Sequence, residues 1–126
     1  SDLAVGLMQL LPSTGREVGI NGARLTTLEG NVEAACRYMR LILDTYFNDP
    51  KLDRLNRHLF ALAAYNAGRG NVQSWIREYG WPADFHDIDA IPYKETREYV
   101  RKVLLTEHKY RSLYPEAGRI GSNMKD

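Results

Sequence analysis

The chain has 126 residues, of which 44% are hydrophobic and 26% are charged, and its formal net charge is +1. These values fit one globular domain with a modest core, and they exclude a disordered or fibrous protein. The near-neutral charge also argues against nucleic acid as a partner, because nucleic-acid binding usually requires a basic surface.

The sequence contains no signal for a membrane span, an internal disulfide or a metal site. No apolar run is long enough to cross a bilayer. The single cysteine, Cys36, excludes an internal disulfide and is interpreted as a small core residue. The three histidines lie far apart, without the spacing of metal ligands. We therefore expect no membrane span, no metal site and no cofactor.

The first long helix is predicted over residues 28–47. Thr26 and Glu29 form a capping-box pattern at its start. Asn48-Asp49-Pro50 ends it, because proline cannot continue a helix. Apolar residues with helical spacing are expected to face the core: Val32, Cys36, Met39, Leu43 and then Tyr46 or Phe47.

Three more helices and a loop are predicted after it. Residues 55–66 form a helix that turns Leu59, Leu62 and Ala63 inward and stops at Gly68. A short helix follows Gly70, residues 79–89 form a loop, and the last helix runs from about residue 92 to 114. No alternating strand pattern occurs, so the fold class is all-α. Residues 1–114 are predicted to form one partial domain, clipped at its N-terminus, and residues 115–126 a tail.

Three stretches hold the candidate functional residues. In GLMQLLPSTG (6–15), Gln9 lies among apolar residues with no obvious hydrogen-bond partner. In AYNAGRGNV (64–72), a helix stop explains the glycines but not Tyr65 and Asn66. In IPYKETREYVRKV (91–103), Glu95 and Tyr99 project from one side of a helix, and the residues alone favour a solvated first turn.

These stretches, in this order, resemble the motifs of lytic transglycosylases of the soluble lytic murein transglycosylase (SLT) type. The third stretch resembles its motif as IPYKETREYVRKVL (91–104). The segment around Asn31-Val32, Ala35 and Tyr38-Met39 resembles the helix that links the first two motifs. The likeness spans about residues 4 to 114.

The resemblance implies a lysozyme-like (goose-type or lytic transglycosylase) helical domain without its first helix. It implies a glycan cleft and cleavage of the β-1,4 bond between N-acetylmuramic acid and N-acetylglucosamine in peptidoglycan, with a 1,6-anhydro product. One glutamic acid, whose pKa burial raises, would serve as acid and then as base. The N-acetyl group of the substrate would replace the second carboxylate of ordinary glycosidases.

The resemblance also implies roles for six side chains. Gln9 would hydrogen-bond the glycan, and Met8 would shape the pocket beside the acid. Tyr65 would donate a hydrogen bond to the catalytic carboxyl, and Asn66 would line the same wall of the glycan cleft. Across the cleft, Glu95 would position the substrate and Tyr99 would support it.

The sequence departs from the family pattern at its start. The family's catalytic glutamate belongs to a Glu-Ser motif before GLMQ, and the five residues before Gly6 contain no glutamate. We expect the general acid to lie upstream and this fragment to be inactive. An apolar surface near Leu7, Leu10 and Leu11 would then favour self-association. Two smaller departures are Arg69, where the family often has proline, and Gly15, where it often has alanine.

Two alternatives remain open. One is a goose-type-like muramidase, a hydrolase with similar GLMQ and AYNAG motifs, and the other is a non-catalytic peptidoglycan-binding module. Peptidoglycan strands are the expected partner in each case. The expected location is the periplasm or the outer membrane of a bacterium, after export by a leader that this chain does not include.

Overall fold

The computed structural model describes residues 10–114, which form two compact units, residues 10–85 and residues 86–114. All elements of the described residues are helical, which confirms the all-α prediction. The first unit contains α1 (Pro12–Glu17), α2 (Ala23–Thr26), α3 (Leu28–Leu41), a π-helical segment (Ile42–Tyr46), α4 (Arg54–Ala67) and α5 (Arg69–Tyr79). The second contains a 3-10 turn (Ile88–Ala90) and α6 (Lys94–Leu113).

Helix α4 is the centre of the first unit. Its N-terminus is capped by Asp53, whose carboxylate accepts a hydrogen bond from the backbone nitrogen of Asn56 at 2.7 Å. Every residue from position 59 to 64 is buried, so this helix is enclosed on all sides by its neighbours. The predicted inward positions Leu59, Leu62 and Ala63 are confirmed. Helices α5 and α3 both contact α4.

Helix α3 has a different buried face from the one predicted. Its buried residues include Asn31, Ala34, Ala35 and Tyr38, whereas Val32 is 39% exposed. The interpretation of Cys36 as a core residue is wrong, because its side chain is exposed. Ala34 and Ala35 let α3 approach its neighbours closely. The buried Asn31 side chain has a hydrogen-bond partner, because its Nδ2 donates to the Leu25 carbonyl at 3.2 Å.

The predicted capping box at the start of α3 is also displaced by one residue. The N-cap is Thr27, whose hydroxyl accepts a hydrogen bond from the Gly30 nitrogen at 3.0 Å. The hydroxyl of Thr26 donates instead to the Ala23 carbonyl at 2.6 Å.

The single helix predicted over residues 28–47 changes its winding near its end. It is α-helical to Leu41 and then π-helical, and the Phe47 nitrogen donates to the Ile42 carbonyl at 3.2 Å. Arg57 of α4 holds this segment by donating from Nε to the Phe47 carbonyl at 2.7 Å and from Nη2 to the Leu43 carbonyl at 3.0 Å. The wider winding lets Ile42 and Phe47 both be buried.

The second unit is built on α6. Arg97 ties its first turns to the preceding segment by donating from Nη1 to the Ile91 carbonyl at 2.6 Å. Thr96 and Val100 on its first turns are buried, whereas Tyr110 near its end is 54% exposed. Within residues 10–114, no helix combines the length and apolar character needed to cross a membrane.

Candidate functional site

The last turn of α4 presents Tyr65 and Asn66. Gly68 ends the helix with φ of 93°, a left-handed conformation that glycine adopts most readily. The residues just before, Ala63 and Ala64, are fully packed in the core. Tyr65 and Asn66 are half-buried. A rigid helix end therefore holds two hydrogen-bonding side chains at the edge of the core, as the sequence predicted.

Tyr38 of α3 supports Tyr65. The two ring centroids lie 5.6 Å apart with the planes inclined by 50°, a favourable geometry for an aromatic pair. Burial raises the pKa of the Tyr38 hydroxyl above its ordinary value of 10.0, and the negative charge of Glu17 raises it further. The Arg69 side chain opposes this shift through its positive charge and its hydrogen bond to Tyr38.

Arg69 connects these aromatic residues with α1 and the π-helical segment. It is the first residue of α5. Its guanidinium carbon lies 4.5 Å from the centroid of the Tyr46 ring, within cation–π range. Its Nη1 atom lies 3.4 Å from Oε2 of Glu17. We call the five side chains the Arg69 cluster: Glu17, Tyr38, Tyr46, Tyr65 and Arg69.

Sequence reasoning found only part of this cluster. The sequence indicated Tyr65 through its chemistry and Arg69 as a departure from the family pattern, but no motif pointed to Glu17. Glu17 and Arg69 are 52 residues apart, and no local pattern relates them. One local signal for the cluster was present in the sequence. Arg69 directly follows Gly68, which ends α4, and a long charged side chain at this position can reach back to the preceding helices.

In the second unit, Glu95 and Tyr99 project from α6 one turn apart, as predicted. Glu95 lies in the first helical turn and is exposed. Tyr99 is half-buried, and burial, followed by the charge of Glu107, raises the pKa of its hydroxyl. Glu95 therefore presents its carboxyl group to solvent at the start of the helix.

Two predicted site residues, Met8 and Gln9, lie outside the described residues. Among residues 10–114, no group of three His, Cys, Asp or Glu side chains is arranged to hold a metal ion. In the same range no Asp or Glu is buried, and the buried polar side chains are those of Asn31, Asn56 and Thr96. The described candidate residues of the two units therefore offer hydroxyl, amide and exposed carboxylate groups for binding, and none of them is a buried acid.

The family model named "Transglycosylase SLT domain" matches residues 1–88 of the chain. The chain belongs to this family. Membership of the SLT domain family confirms the predicted lysozyme-like helical class.

Three relatives illustrate the relationship of this SLT domain chain to curated proteins. It is 31% identical over 117 residues to the "Soluble lytic murein transglycosylase" of Escherichia coli K12, an alignment that covers 86% of the chain and 17% of that protein. The same name and the same coverage apply to a relative from Salmonella typhimurium, also 31% identical.

The third relative is the "Membrane-bound lytic murein transglycosylase D" of Escherichia coli K12, 31% identical over 107 residues, covering 80% of the chain and 22% of that protein. The SLT domain chain thus spans less than a quarter of the length of each of these relatives. No solved structure matched it.

Proposed function

We propose that this SLT domain chain is part of a peptidoglycan lytic transglycosylase. The reaction is cleavage of the β-1,4 bond between N-acetylmuramic acid and N-acetylglucosamine, with attack by the muramyl 6-hydroxyl and release of a 1,6-anhydro product. The observation that carries the proposal is the likeness, over 86% of the chain, to a protein named soluble lytic murein transglycosylase. The presentation of Tyr65 and Asn66 by the end of α4 is the geometry that supports it.

In this proposal Tyr65 orients the catalytic acid rather than transferring the proton. Its hydroxyl donates to one carboxyl oxygen, and its ring is held by Tyr38 at 5.6 Å. Asn66 hydrogen-bonds an N-acetyl or hydroxyl group of the glycan with its amide. Gln9 and Met8 line the same glycan site, and Glu95 and Tyr99 contribute to substrate positioning.

We further propose that the general acid is not among the carboxylates of this chain and is encoded upstream of Ser1. A glycosidase acid must remain protonated near neutral pH, and desolvation is the usual cause of the raised pKa that this requires. None of the Asp and Glu side chains in residues 10–114 is buried. The chain alone is then expected to bind glycan without cleaving it.

Incubation of the chain with purified peptidoglycan, followed by mass spectrometry of the released muropeptides, tests this expectation. No product is expected. Anhydro-muropeptides would overturn the assignment of the acid to an upstream segment. A polypeptide that includes the upstream codons is then expected to release anhydro ends, whereas reducing ends would identify a muramidase instead.

Glycan binding by the chain itself is measured with chitotetraose, a neutral oligosaccharide of N-acetylglucosamine, through shifts of backbone amide resonances. We expect shifts at Tyr65 and Asn66 and an affinity about tenfold lower in Asn66→Ala, because one hydrogen-bonding amide is lost. Asn48→Ala removes an exposed asparagine that is not part of the proposed site, and this variant is expected to bind normally. No shift at either position would contradict the proposed glycan site.

The location and the self-association of the protein are also proposals. Peptidoglycan as substrate implies export to the periplasm or to the outer membrane of a bacterium. Self-association would use apolar surface near the first described residues, where Leu11 is 40% exposed although Leu10 is buried. Size-exclusion chromatography at several concentrations tests it, and a concentration-independent monomer would exclude it.

A further inference from the structure

Helix α3 carries a row of apolar side chains that the fold does not bury. We call this row the α3 stripe, and its members are Leu28, Val32, Cys36 and Met39. They are spaced by four, four and three residues, so they lie on one side of the helix. Leu28 is 64% exposed, Val32 and Cys36 are exposed as well, and Met39 is half-buried. A face with the spacing of a core helix is therefore open to solvent.

Two charged side chains of opposite sign, Glu29 and Arg40, border the α3 stripe at its two ends. They are eleven residues apart, which is close to three full turns, so both lie on the same flank of the helix. Along the axis they are separated by about 16 Å. Both residues are exposed. This flank is therefore negative near the start of α3 and positive near its end.

Neither of these two charges has a strong partner within the described chain. Glu29 forms no ion pair with any residue in positions 10–114. Arg40 reaches only Asp44, at 3.9 Å, and because the Arg40 side chain is 83% exposed, solvent screens this pair. Glu33, which lies between them in the sequence, is already paired with Arg37 one turn further on. Glu29 and Arg40 can therefore pair with groups outside the chain.

The α3 stripe and its two charges have the same centre along the helix. The midpoint of Glu29 and Arg40 falls between positions 34 and 35, and the midpoint of Val32 and Cys36 falls at position 34. A two-fold axis through this centre places a second α3 antiparallel to the first, with the same flank of both helices on one side. Glu29 of each copy then lies opposite Arg40 of the other, and the apolar side chains meet between the helices. The surface is thus complementary to itself, as a two-fold symmetric interface must be.

We propose that the α3 stripe binds a second copy of this chain in an antiparallel, two-fold symmetric dimer. Charge complementarity selects this partner, because an antiparallel copy supplies an apolar row whose charged ends run in the opposite order. The formal net charge of +1 adds little repulsion between two copies. The inference does not depend on the proposed function, and it concerns a surface other than the one near Leu10 and Leu11.

The dimer is expected to be weak. Helix α3 has 14 residues and is about 21 Å long, so a single pair of such helices is expected to bury less than the about 1,200–2,000 Å² of a stable complex. We expect a dissociation constant on the order of 100 μM. Sedimentation equilibrium under reducing conditions, between about 10 μM and about 1 mM protein, measures it. A monomer at every concentration would overturn the inference.

The thiol of Cys36 reports whether the α3 stripe is the surface that becomes covered. Cys36 is the single cysteine of the chain and is exposed. For the expected dissociation constant, it should react with a thiol reagent about fourfold more slowly at about 1 mM than at about 10 μM protein. A dimer in which Cys36 reacts equally fast at both concentrations would place the interface elsewhere and overturn the inference.

Charge exchange tests the antiparallel arrangement. Glu29→Lys and Arg40→Glu are each expected to weaken self-association about tenfold, because each variant places two like-charge pairs across the two-fold axis. When the two variants are mixed in equal amounts, unlike charges face each other again, and a heterodimer of about wild-type affinity is expected. The double variant Glu29→Lys/Arg40→Glu is expected to dimerise like the wild type for the same reason. If neither the mixture nor the double variant regains affinity, the antiparallel dimer is wrong.

Two leucine variants test the apolar contribution. Leu28→Ser is expected to weaken self-association about tenfold, because it removes two apolar side chains from each dimer. Leu105→Ser is the matched control, since Leu105 is a comparably exposed leucine, 53% exposed, on α6, and its dimerisation is expected to be unchanged. Equal affinity of the two variants would overturn the assignment to the α3 stripe. Loss of the dimer in Leu11→Ser, with no effect of Leu28→Ser, would assign self-association to the surface near Leu11 instead.

A segment of the same polypeptide is the other possible occupant of the α3 stripe. A polypeptide that includes the upstream codons distinguishes the two, because a covering segment would slow the reaction of Cys36 equally at all protein concentrations. If this longer polypeptide is monomeric and its Cys36 is protected, the stripe is covered from within and the inference is wrong. Protection that grows with protein concentration, together with a dimer, upholds the second copy as the occupant.

Discussion

The guanidinium group of Arg69 lies over the ring of Tyr46, with its central carbon 4.5 Å from the ring centroid. The same group is 3.4 Å from Glu17 and donates a hydrogen bond to Tyr38. The Arg69 and Glu17 side chains are 38% and 37% exposed, so solvent screens their attraction. Packing on Tyr46 and the bond to Tyr38 are therefore expected to contribute more to stability than the ion pair.

Arg69→Ala is expected to lower the free energy of unfolding by about 1–2 kcal/mol, because it removes the cation–π contact, the hydrogen bond and the ion pair together. Urea denaturation measures the change. Glu17→Gln, which removes only the ion pair, is expected to lower it by less than about 1 kcal/mol. Equal losses in the two variants would mean that the ion pair dominates.

The raised pKa of Tyr38 predicts a pH-dependent contribution to stability. The folded state holds the phenol proton more tightly than the unfolded state, whose tyrosine titrates near pH 10. This contribution is fully present below that pH and is lost as the pH rises through the folded-state pKa. The stability advantage of the wild type over Tyr38→Phe should therefore shrink between about pH 9 and pH 11.

Denaturant titrations of both proteins at several pH values in this window measure the difference. Tyr99→Phe in the second unit is expected to show the same sign, because burial also raises the pKa of Tyr99. A difference between wild type and Tyr38→Phe that does not vary with pH would show that Tyr38 has the same pKa in both states.

Gly15→Ala is expected to destabilise the protein, although alanine is common at this position in the sequences it resembles. A Cβ atom at Gly15 would overlap the Ile20 carbonyl oxygen and lie 2.9 Å from Cδ2 of Leu25. Backbone adjustment in a packed region is expected to cost about 1–3 kcal/mol.

Gly70→Ala is the matched control for Gly15→Ala. Gly70 lies in α5, where an added Cβ would meet no atom within 4 Å. Alanine there is expected to leave stability unchanged or to raise it by up to about 1 kcal/mol, through its better helix propensity. Thermal unfolding should show a large loss at position 15 and none at position 70, and equal changes would contradict the close packing at Gly15.

Thr27→Ala is expected to lower the free energy of unfolding by about 1 kcal/mol, because it removes the hydrogen bond that caps α3. Thr26→Ala is expected to change it by less than about 0.5 kcal/mol, since the Thr26 hydroxyl does not bond to α3. Guanidinium denaturation separates the two. A larger loss at Thr26 would favour the capping box that the sequence suggested.

The ends of the later helices were predictable because local chemistry decides them. Gly68 adopts a positive φ that ends α4, and Asp53 caps its start. Helix α4, predicted over residues 55–66, is observed over Arg54–Ala67, and α6, predicted from about residue 92, begins at Lys94. In each case the signal and the structure that it produces lie within a few residues of one another.

The register of α3 was not predictable in the same way. Hydrophobicity favoured Val32 and Cys36 for the core, yet Asn31, Ala34 and Ala35 are the residues buried there. Close packing selects small side chains at a helix crossing, and a polar residue is buried at little cost once it finds a partner such as the Leu25 carbonyl. Both conditions depend on residues elsewhere in the fold.

The candidate site likewise contains residues that a local motif indicates and residues that only long-range contacts bring together. Tyr65 and Asn66 were predictable from a short motif that a helix stop did not explain. Tyr46 and Glu17 were not, because their role arises from contact with Arg69, which is distant from both in the sequence. A short motif can identify residues that share one turn. A cluster assembled from several helices can be identified only from the folded structure.

The π-helical segment gives one residue an influence far beyond its own contacts. Such a segment accommodates a single residue more than the α-helical repeat allows. If the same residues were wound as a regular α-helix, every side chain after the segment would be rotated by about 100° around the axis. Tyr46 would then turn away from Arg69, and Phe47 would leave its contact with Phe60. One additional residue therefore decides the direction of two aromatic side chains, which a regular helix of the same sequence would turn elsewhere.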